Sequence, residues 1–176
     1  MIFTETPLEG AYLIDVEPHV DERGFFGRSF CRQEFAGRGF KTDIAQCNVS
    51  FNRKKGTLRG MHFQRPPMAE AKLVRCTRGA VYDVILDLRP GFPTYRRWEA
   101  AELSAENGRM LYIPEGFAHG FQTLVDGAEV FYQMFQTYSP EHSAGVRFDD
   151  PAFGIKWPIG NPIISEKDRS YPLFKG

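Results

Sequence analysis

Short apolar segments limit the folds open to this chain more than any other feature of its sequence. They are rich in aromatic and β-branched residues and end at Gly, Pro or Asn, as in 81–88, 111–113 and 128–138. Segments of this length and composition are typical of β-strands. The best helical stretch is the brief segment 32–36, which Gly37 closes. We therefore expect a mainly β protein, a sandwich or barrel, with few short helices.

The clearest turn signal in the sequence is Asp126-Gly127. Asp-Gly fits the tight turn of a two-residue β-hairpin, so we expect the strands on either side of it to pair. No internal repeat, low-complexity tract or linker interrupts the 176 residues. A chain of this length suits one domain with a buried core, and we expect residues 1–176 to form a single domain.

Charge and composition argue against several classes of function. Lys+Arg and Asp+Glu both number 22, whereas an electrostatic binder of nucleic acid carries a basic excess. No apolar run is long enough to span a membrane, and the N-terminal residues lack the pattern of a signal peptide. Cys31, Cys47 and Cys76 form no C-x-x-C pair, which is typical of reduced thiols. We expect a cytoplasmic protein without nucleic-acid or membrane partners.

Some predicted strands have polar or charged residues on faces that carry chemically mixed side chains. In 44–51, alternation places three polar residues on one side: Gln46, Asn48 and Ser50. A single face of this kind ordinarily indicates solvent. In 71–76, however, Lys72 shares its side with two apolar residues, which suits an ammonium only if it lines a cavity. Several mixed faces together favour a barrel with a partly polar ligand pocket.

Two of the four histidines, His62 and His119, lie near glycine in strand-like segments. Each by itself fits a structural histidine as well as a functional one. Together with Glu70 they would supply a two-His, one-carboxylate metal site, and the segment 114–119 resembles the second motif of metal-binding cupins. The His-x-His pair of those proteins is missing, because Phe63-Gln64 follows His62. We therefore expect no metal.

Acid–base chemistry is the other possibility for these residues. A base near neutral pKa, a phenol and a cation suffice to remove a proton beside a carbonyl group, and His62, Tyr132 and Lys72 supply these three types. A carboxylate paired with His62 would fix its tautomer. Candidates for that partner are Asp83, Asp87 and Asp168. Sequence spacing does not choose among them.

Two arginines next to glycine, Arg23 and Arg59, are candidates for binding a phosphate group. A forked guanidinium suits the oxygens of a pyrophosphate. The basic cluster 53–55, which precedes Gly56, has instead the composition of a solvated turn.

Seven blocks of residues follow one another along nearly the whole chain. They are D-x-R-G-x-F (21–26), Q-x-N-x-S (46–50), G-x-L-R-G-x-H-x-Q (56–64), K-L-V-R (72–75), D-V-x-x-D-L-R (83–89), I-P-x-G-F-A-H-G-F (113–121) and S-x-K-D (165–168). In this order they resemble the dTDP-4-dehydrorhamnose 3,5-epimerases, which are metal-free, cupin-like jelly rolls acting as homodimers. The resemblance implies an isomerase without cofactor. It would epimerise C3 and/or C5 of a nucleotide-diphosphate-linked 4-keto-6-deoxysugar through an enolate.

The resemblance further implies four catalytic residues. His62 would take the C3 and C5 protons, with Asp168 as its carboxylate partner. Tyr132 would return a proton from the opposite face of the sugar, and Lys72 would stabilise the enolate oxygen at C4. Base and acid then come from different strands, as inversion requires. In a regular strand over 128–138, Tyr138 would face the same cavity as Tyr132.

Eight further residues would bind the substrate if the resemblance extends to them. They are His119 in the sugar pocket with Asp83 behind it, Arg59 at the pyrophosphate with Gln46 and Asn48 nearby, Arg23 and Phe26 from the partner subunit, Arg28 toward the nucleotide, and Tyr138 stacked on the base. Two positions depart from the family's usual pattern. Arg28 stands where Phe-x-Glu is common, and Cys47 stands in the middle of a usual Gln-Asp-Asn. Both segments lie toward the nucleotide in the family, so the substrate can be a dTDP, a CDP or a GDP sugar. Arg28 would indicate either a different nucleotide or a different contact at the rim of the pocket.

Overall fold

The protein is described by a computed structural model over residues 1–175, and two antiparallel β-sheets form its framework. In chain order the elements are β1 (Ile2–Glu5), β2 (Tyr12–Asp15), β3 (His19–Asp21), β4 (Gly24–Phe26), α1 (Arg32–Ala36), β5 (Gln46–Asn52), β6 (Leu58–Gln64), β7 (Lys72–Arg78), β8 (Ala80–Asp87), β9 (Trp98–Ser104), β10 (Met110–Ile113), β11 (Phe117–Thr123), β12 (Ala128–Met134), β13 (Ser143–Gly145) and α2 (Glu166–Arg169). Within this described part, no helix is long and apolar enough to cross a membrane.

The strand order shows how the chain passes between the two sheets. The six-stranded sheet runs β1-β2-β10-β7-β12-β5, the five-stranded sheet runs β13-β6-β11-β8-β9, and β3 and β4 form a separate hairpin. From β5 to β8 and again from β9 to β12, each successive strand lies in the opposite sheet. This connectivity is that of a jelly roll. The expectation of a mainly β, cupin-like fold with few short helices is confirmed.

The main apolar core lies between the sheets and leaves part of that space to polar side chains. Val74 and Val130 of the six-stranded sheet pack in one cluster with Ile85, Leu103 and Phe121 of the other. These five side chains are at most 4% exposed, and burial of such a side chain contributes about 1.5–3 kcal/mol. The core therefore holds the two sheets together as the walls of the space that remains.

The prediction of a β-hairpin at Asp126-Gly127 is wrong. A turn does form there, with Gly127 at a φ of +67°, but it joins β11 of the five-stranded sheet to β12 of the six-stranded sheet. The flanking strands pair with other partners. Asp126 accepts instead from the Lys55 N–H at 2.7 Å and from Lys54 Nζ at 3.3 Å. Local turn chemistry fixed the bend, whereas packing between the sheets decided which strands pair.

The strand expected over 128–138 is shorter than predicted, because β12 ends at Met134. Two glutamine side chains hold the segment that follows. The Tyr138 N–H donates to Gln46 Oε1 at 2.9 Å, and the Ser139 N–H donates to Gln64 Oε1 at 2.6 Å. The sequence predicted that strand alternation would place Tyr138 in the cavity. These two hydrogen bonds hold that segment instead.

The faces of β5 are inverted relative to an ordinary surface strand. Its polar residues, Gln46, Asn48 and Ser50, are half-buried and face the space between the sheets. On the opposite face Val49 is 61% exposed and Phe51 is 46% exposed. The polar face of this strand thus marks a pocket, in agreement with the interpretation drawn from several strands together.

Candidate active site

A cavity of about 560 Å³ opens between the two sheets. Strands β5, β7 and β12 form one wall, and β6 and β11 form the other. Its polar lining consists of Gln46, Asn48, Ser50, Arg59, His62, Gln64, Glu70, Lys72, His119, Tyr132, Tyr138, Ser143 and Lys167. Pockets of this size bind small molecules, but they are usually lined mainly by apolar groups. A lining this rich in hydrogen-bonding groups indicates a polar ligand.

His62 lies in β6 and is paired with Asp168 of α2. Its Nε2 is 2.7 Å from Asp168 Oδ1, and Asp168 Oδ2 accepts the Gly60 N–H at 3.3 Å. Burial raises the pKa of Asp168, but the hydrogen bond and charge of His62 and the Gly60 N–H outweigh it, so this pKa lies below its ordinary value. Because an ionised carboxylate only accepts, Nε2 carries the proton. Nδ1 is then the basic atom of a side chain that is 42% exposed.

The local sequence builds this pair from two sides. Ser165 caps α2, because its Oγ accepts the Asp168 N–H at 3.1 Å and so fixes the start of the short helix. Behind His62, the backbones of β6 and β11 approach each other at Gly60 and Gly120. A Cβ on Gly60 would lie 2.5 Å from the Gly120 Cα, and Gly60 has a φ of +141°. Glycine is required here by close approach of two strands.

A second His–Asp pair lies beside the first. β11 pairs with β6 so that His119 is directly opposite His62. The Nε2 of His119 is 2.9 Å from both carboxylate oxygens of Asp83 on the adjacent strand β8. The His119 side chain is 10% exposed and Asp83 is fully buried. The ring is therefore held firmly, with a small part of it on the cavity wall.

Lys72 and Glu70 form a buried ion pair on the opposite wall. Lys72 Nζ is 2.7 Å from Glu70 Oε1, and the two side chains are 7% and 6% exposed. The ammonium also donates to the backbone oxygen of His62 at 3.5 Å. A buried ammonium needs a carboxylate or an equivalent acceptor nearby. Glu70 supplies it, and a cation is thereby kept at the cavity wall.

Tyr132 lies on β12, in the sheet opposite His62. Burial raises the pKa of Tyr132, the charge of Glu70 raises it further, and Arg59 acts against them. The phenol consequently keeps its proton above the pH at which an exposed tyrosine would lose it. Arg59 is oriented by Asn52, whose Oδ1 accepts from its Nε at 2.8 Å. A base and a proton donor thus face the cavity from different sheets.

The structure brings most of the predicted site residues together. Eight of them line the cavity: Gln46, Asn48, Arg59, His62, Lys72, His119, Tyr132 and Tyr138. Asp168 stands behind His62. Three others lie away from the cavity within this chain. Arg23 pairs with Asp21 in the exposed β3–β4 hairpin, Phe26 ends that hairpin, and Arg28 pairs with Glu34 at 2.9 Å.

Several cavity residues were not predicted as part of an acid–base site. Glu70 entered the sequence interpretation only as a metal ligand, yet it lies two positions before Lys72 and so shares its side of the chain. Ser50 continues the alternation of Gln46 and Asn48. Lys167 precedes Asp168 in the S-x-K-D block. Gln64 ends the block over 56–64 but was given no role, and Ser143 carried no signal in the sequence.

The donor set of the metal hypothesis does not assemble. Glu70 is bound to Lys72, while His62 and His119 each direct Nε2 at an aspartate. Among residues 1–175, no three His, Cys, Asp or Glu side chains are grouped so that they could hold a metal ion. The arrangement offers the metal-dependent alternative no support.

A jelly roll whose polar cavity joins a His–Asp base to a facing phenol defines a cupin-like acid–base enzyme. A sequence model of the dTDP-4-dehydrorhamnose 3,5-epimerases matches residues 5–176. An epimerase of this description from Sinorhizobium fredii is 44% identical over 173 residues, covering 98% of this chain and 89% of its own. The chain belongs to the dTDP-4-dehydrorhamnose 3,5-epimerase family, and is an isomerase.

Two crystal structures show how closely the fold agrees with that of its relatives. The Bacillus anthracis dTDP-4-dehydrorhamnose 3,5-epimerase with TDP and PPi bound has a TM-score of 0.94 at 42% identity, covering 98% of this chain and 99% of that one. The Legionella pneumophila dTDP-6-deoxy-D-glucose-3,5-epimerase in complex with dTDP-4-keto-L-rhamnose has a TM-score of 0.90 at 36% identity, with coverages of 98% and 92%.

Proposed function

We propose that this protein epimerises C3 and/or C5 of dTDP-4-dehydro-6-deoxyglucose, giving the dTDP-4-dehydrorhamnose type of product without a cofactor. The observation that carries the proposal is the placement of the His62–Asp168 pair and Tyr132 on opposite walls of one polar cavity. Inversion at a carbon needs proton removal and proton return on opposite faces of the ring. Relatives that bind TDP or a dTDP-keto sugar support the choice of substrate.

The first step is removal of a proton from the carbon beside the C4 keto group. Neutral His62 accepts this proton at Nδ1, since Nε2–H is directed at Asp168. The ionised Asp168 then stabilises the imidazolium that forms. The electron pair of the broken C–H bond moves into an enolate whose oxygen is the former C4 keto oxygen. Lys72, the cation on the cavity wall, stabilises the charge on that oxygen.

The second step returns a proton to the same carbon from the other face. Tyr132 donates its phenol proton, and the enolate collapses to the ketone with inverted configuration. His62 then gives its extra proton to water, and the Tyr132 phenolate recovers one from water, so no net oxidation or reduction occurs. The raised pKa of Tyr132 favours the phenol form that this step consumes.

The remaining cavity residues suit a nucleotide diphosphate. Arg59, fixed by Asn52, offers a guanidinium to the pyrophosphate. Gln46 and Asn48 line the opposite wall, on β5. Tyr138 is 53% exposed at the cavity's edge, where its ring is available to stack on the base. The cavity draws on both sheets, which supports treating residues 1–176 as one functional domain.

We propose a homodimer because apolar side chains remain exposed on two surfaces. On β5 these are Val49 and Phe51, and on the β3–β4 hairpin Val20, Phe25 and Phe26 are 76%, 70% and 77% exposed. Large apolar side chains exposed in groups on a surface are typical of an interface. In the dimer, the partner's hairpin would carry its Arg23 and Phe26 toward this chain's cavity. Sedimentation should give a dimer, and Val49→Asp should weaken it; a monomeric parental protein that is fully active would contradict the proposal.

A cytoplasmic location is proposed with the function. Nucleotide-linked sugars of this class are made from intracellular nucleotides, and Cys31, Cys47 and Cys76 are free thiols.

The test of the function is solvent exchange at the sugar ring. The protein is incubated in D₂O with dTDP-, CDP- and GDP-linked 4-keto-6-deoxysugars, and deuterium at C3 and C5 is followed by NMR. We expect uptake with inversion on the dTDP substrate, and the pattern at the two carbons separates a 3,5-epimerase from a single-carbon enzyme. Absence of uptake on all three nucleotides would overturn the proposed function.

A further inference from the structure

Glu70 is a cavity residue to which the mechanism above gives no step of its own. Its side chain is 6% exposed, and it binds Lys72 through one oxygen, Oε1. The other oxygen, Oε2, is buried without a hydrogen-bond partner among the described residues. A buried polar atom in this state destabilises a fold, because it has given up its hydrogen bonds to water without gaining others. An uncharged side chain of the same shape would avoid much of this penalty, so packing alone does not account for a carboxylate here.

The charge of Glu70 is what distinguishes it from such a side chain. A buried ammonium is tolerated only with a paired anion, and Glu70 is the carboxylate paired with Lys72, at 2.7 Å. The β12–β7 register sets Met134 opposite Lys72 and Tyr132 opposite Val74. Lys72 and Tyr132 therefore lie on neighbouring strands of one sheet, and both line the cavity.

We propose that Glu70 is a positioning residue of the epimerisation: it holds the Lys72 ammonium in the cavity wall beside Tyr132, so that both act on the same face of the sugar. This inference rests on the proposed function. In this proposal Glu70 contacts neither the reacting carbon nor the proton that is transferred. It acts through Lys72, which it orients, and through Tyr132, whose phenol form its negative charge favours.

The charged and titratable groups around Tyr132 limit how its ionisation can be explained. Besides Glu70 and Lys72, the cavity is lined by Arg59 and His62 of β6 and by His119 of β11. These three are cations or potential cations, so they favour the phenolate. Tyr138 and Lys167 complete the titratable lining. Glu70 is the single carboxylate of the described cavity lining, and loss of its negative charge should lower the pKa of Tyr132.

The experiment compares Glu70→Gln, which keeps the shape and removes the charge, with Glu70→Asp, which keeps the charge. Kinetic constants are measured from pH 6 to 11, and Tyr132 is titrated by NMR of ¹³Cζ-labelled tyrosine, with Tyr132→Phe assigning the signal. For Glu70→Gln we expect the alkaline limb of kcat and the Tyr132 midpoint both to move down by about one pH unit. KM should change less than kcat does at alkaline pH. Glu70→Asp should restore most of both shifts.

The matched control is Glu102→Gln, which removes one negative charge from an exposed position on β9, outside the cavity. Its Tyr132 midpoint and pH profile should equal those of the parental protein. A Glu70→Gln protein with parental Tyr132 midpoint and pH profile would overturn the proposal, and a mere loss of thermal stability with both unchanged would assign Glu70 a structural role. The NMR titration needs no substrate. The two failures can therefore be told apart. If the parental protein takes up no deuterium but the Tyr132 midpoint still shifts in Glu70→Gln, the proposed function and the role of Glu70 in it are both wrong. The electrostatic contact between Glu70 and Tyr132 is then still supported.

Discussion

The two His–Asp pairs of the cavity use the same residue types and differ in almost everything else. His62 and His119 are direct neighbours across the β6–β11 ladder. The His62 side chain is 42% exposed, and its aspartate comes from α2, about a hundred residues away along the chain. The His119 side chain is 10% exposed, and its aspartate lies on the adjacent strand and touches Nε2 with both oxygens.

This difference separates a working histidine from a fixed one. A base must reach its substrate with a free ring nitrogen, and it must change charge during the reaction. His62 has the exposure for this, and one oxygen of Asp168 can support the imidazolium. His119 sits in a pair that is nearly closed to solvent, and its Nε2 is held by both oxygens of Asp83. We infer that His62 moves protons, whereas His119 shapes the sugar pocket and contributes to stability.

Replacement of the two histidines should give the largest difference in kcat between the two His–Asp pairs. His62→Asn should lower kcat by about 10³-fold, because no other group stands in its place as the base. His119→Asn should lower kcat by about tenfold and act mainly on KM. Both are read from deuterium uptake at C3 and C5, with circular dichroism as the control for folding. A His62→Asn protein that turns over at the parental rate would refute the base assignment.

Replacement of the two aspartates should give the next largest difference in kcat. Asp168→Asn should reduce kcat by about a hundredfold with KM little changed, because a neutral amide cannot stabilise the imidazolium of His62. The measurement is steady-state kinetics on the dTDP substrate, with Ser165→Ala as a control that loosens the α2 cap and leaves the carboxylate in place. Equal losses of kcat from Asp168→Asn and Asp83→Asn would mean that the two pairs share one role.

Asp83→Asn should instead reveal itself in stability. Asp83 is fully buried, and weakening a hydrogen-bonded charged group in that setting removes about 1–3 kcal/mol. For a chain of this size, each kcal/mol lowers Tm by about 2–4 °C. Thermal unfolding followed by circular dichroism tests this, and kcat should fall by less than tenfold. An unchanged Tm would show that the buried pair contributes nothing to the fold.

The smallest effect concerns acid. The pKa of Asp168 is lower in the folded protein than its ordinary value of 3.8. In this pH range the unfolded chain therefore binds more protons than the folded protein. At a pH above the ordinary pKa, Asp168 stabilises the folded protein, and this stabilisation is lost as the pH falls through the folded pKa. Between pH 5 and 3, the Tm of Asp168→Asn should decline less than that of the parental protein. Parallel declines would contradict the pKa direction.

Local patterns in the sequence predicted elements well where local chemistry decides them. The segment 111–113 lies within β10, 81–88 nearly coincides with β8, and the helix over 32–36 is α1. Predictions failed where partners far along the chain decide. Asp126-Gly127 turns between sheets and makes no hairpin. β12 stops at Met134, and side-chain amides hold the backbone further on, at Tyr138 and Ser139.

The sequence by itself determined the class of fold and the inventory of reactive groups. Alternating polar residues, glycines beside His62 and His119, and seven ordered blocks were enough to name the base, the phenol and the cation as candidates. The resemblance carried by those blocks also implied Asp168 as the partner of His62 and Asp83 behind His119, a choice that spacing had left open. The tertiary structure brings both pairs into contact and alone sets Glu70 against Lys72. The physical reason is that a pair such as His62–Asp168 joins residues far apart in the chain, and their distance is set by the packing of two sheets, which no local pattern encodes.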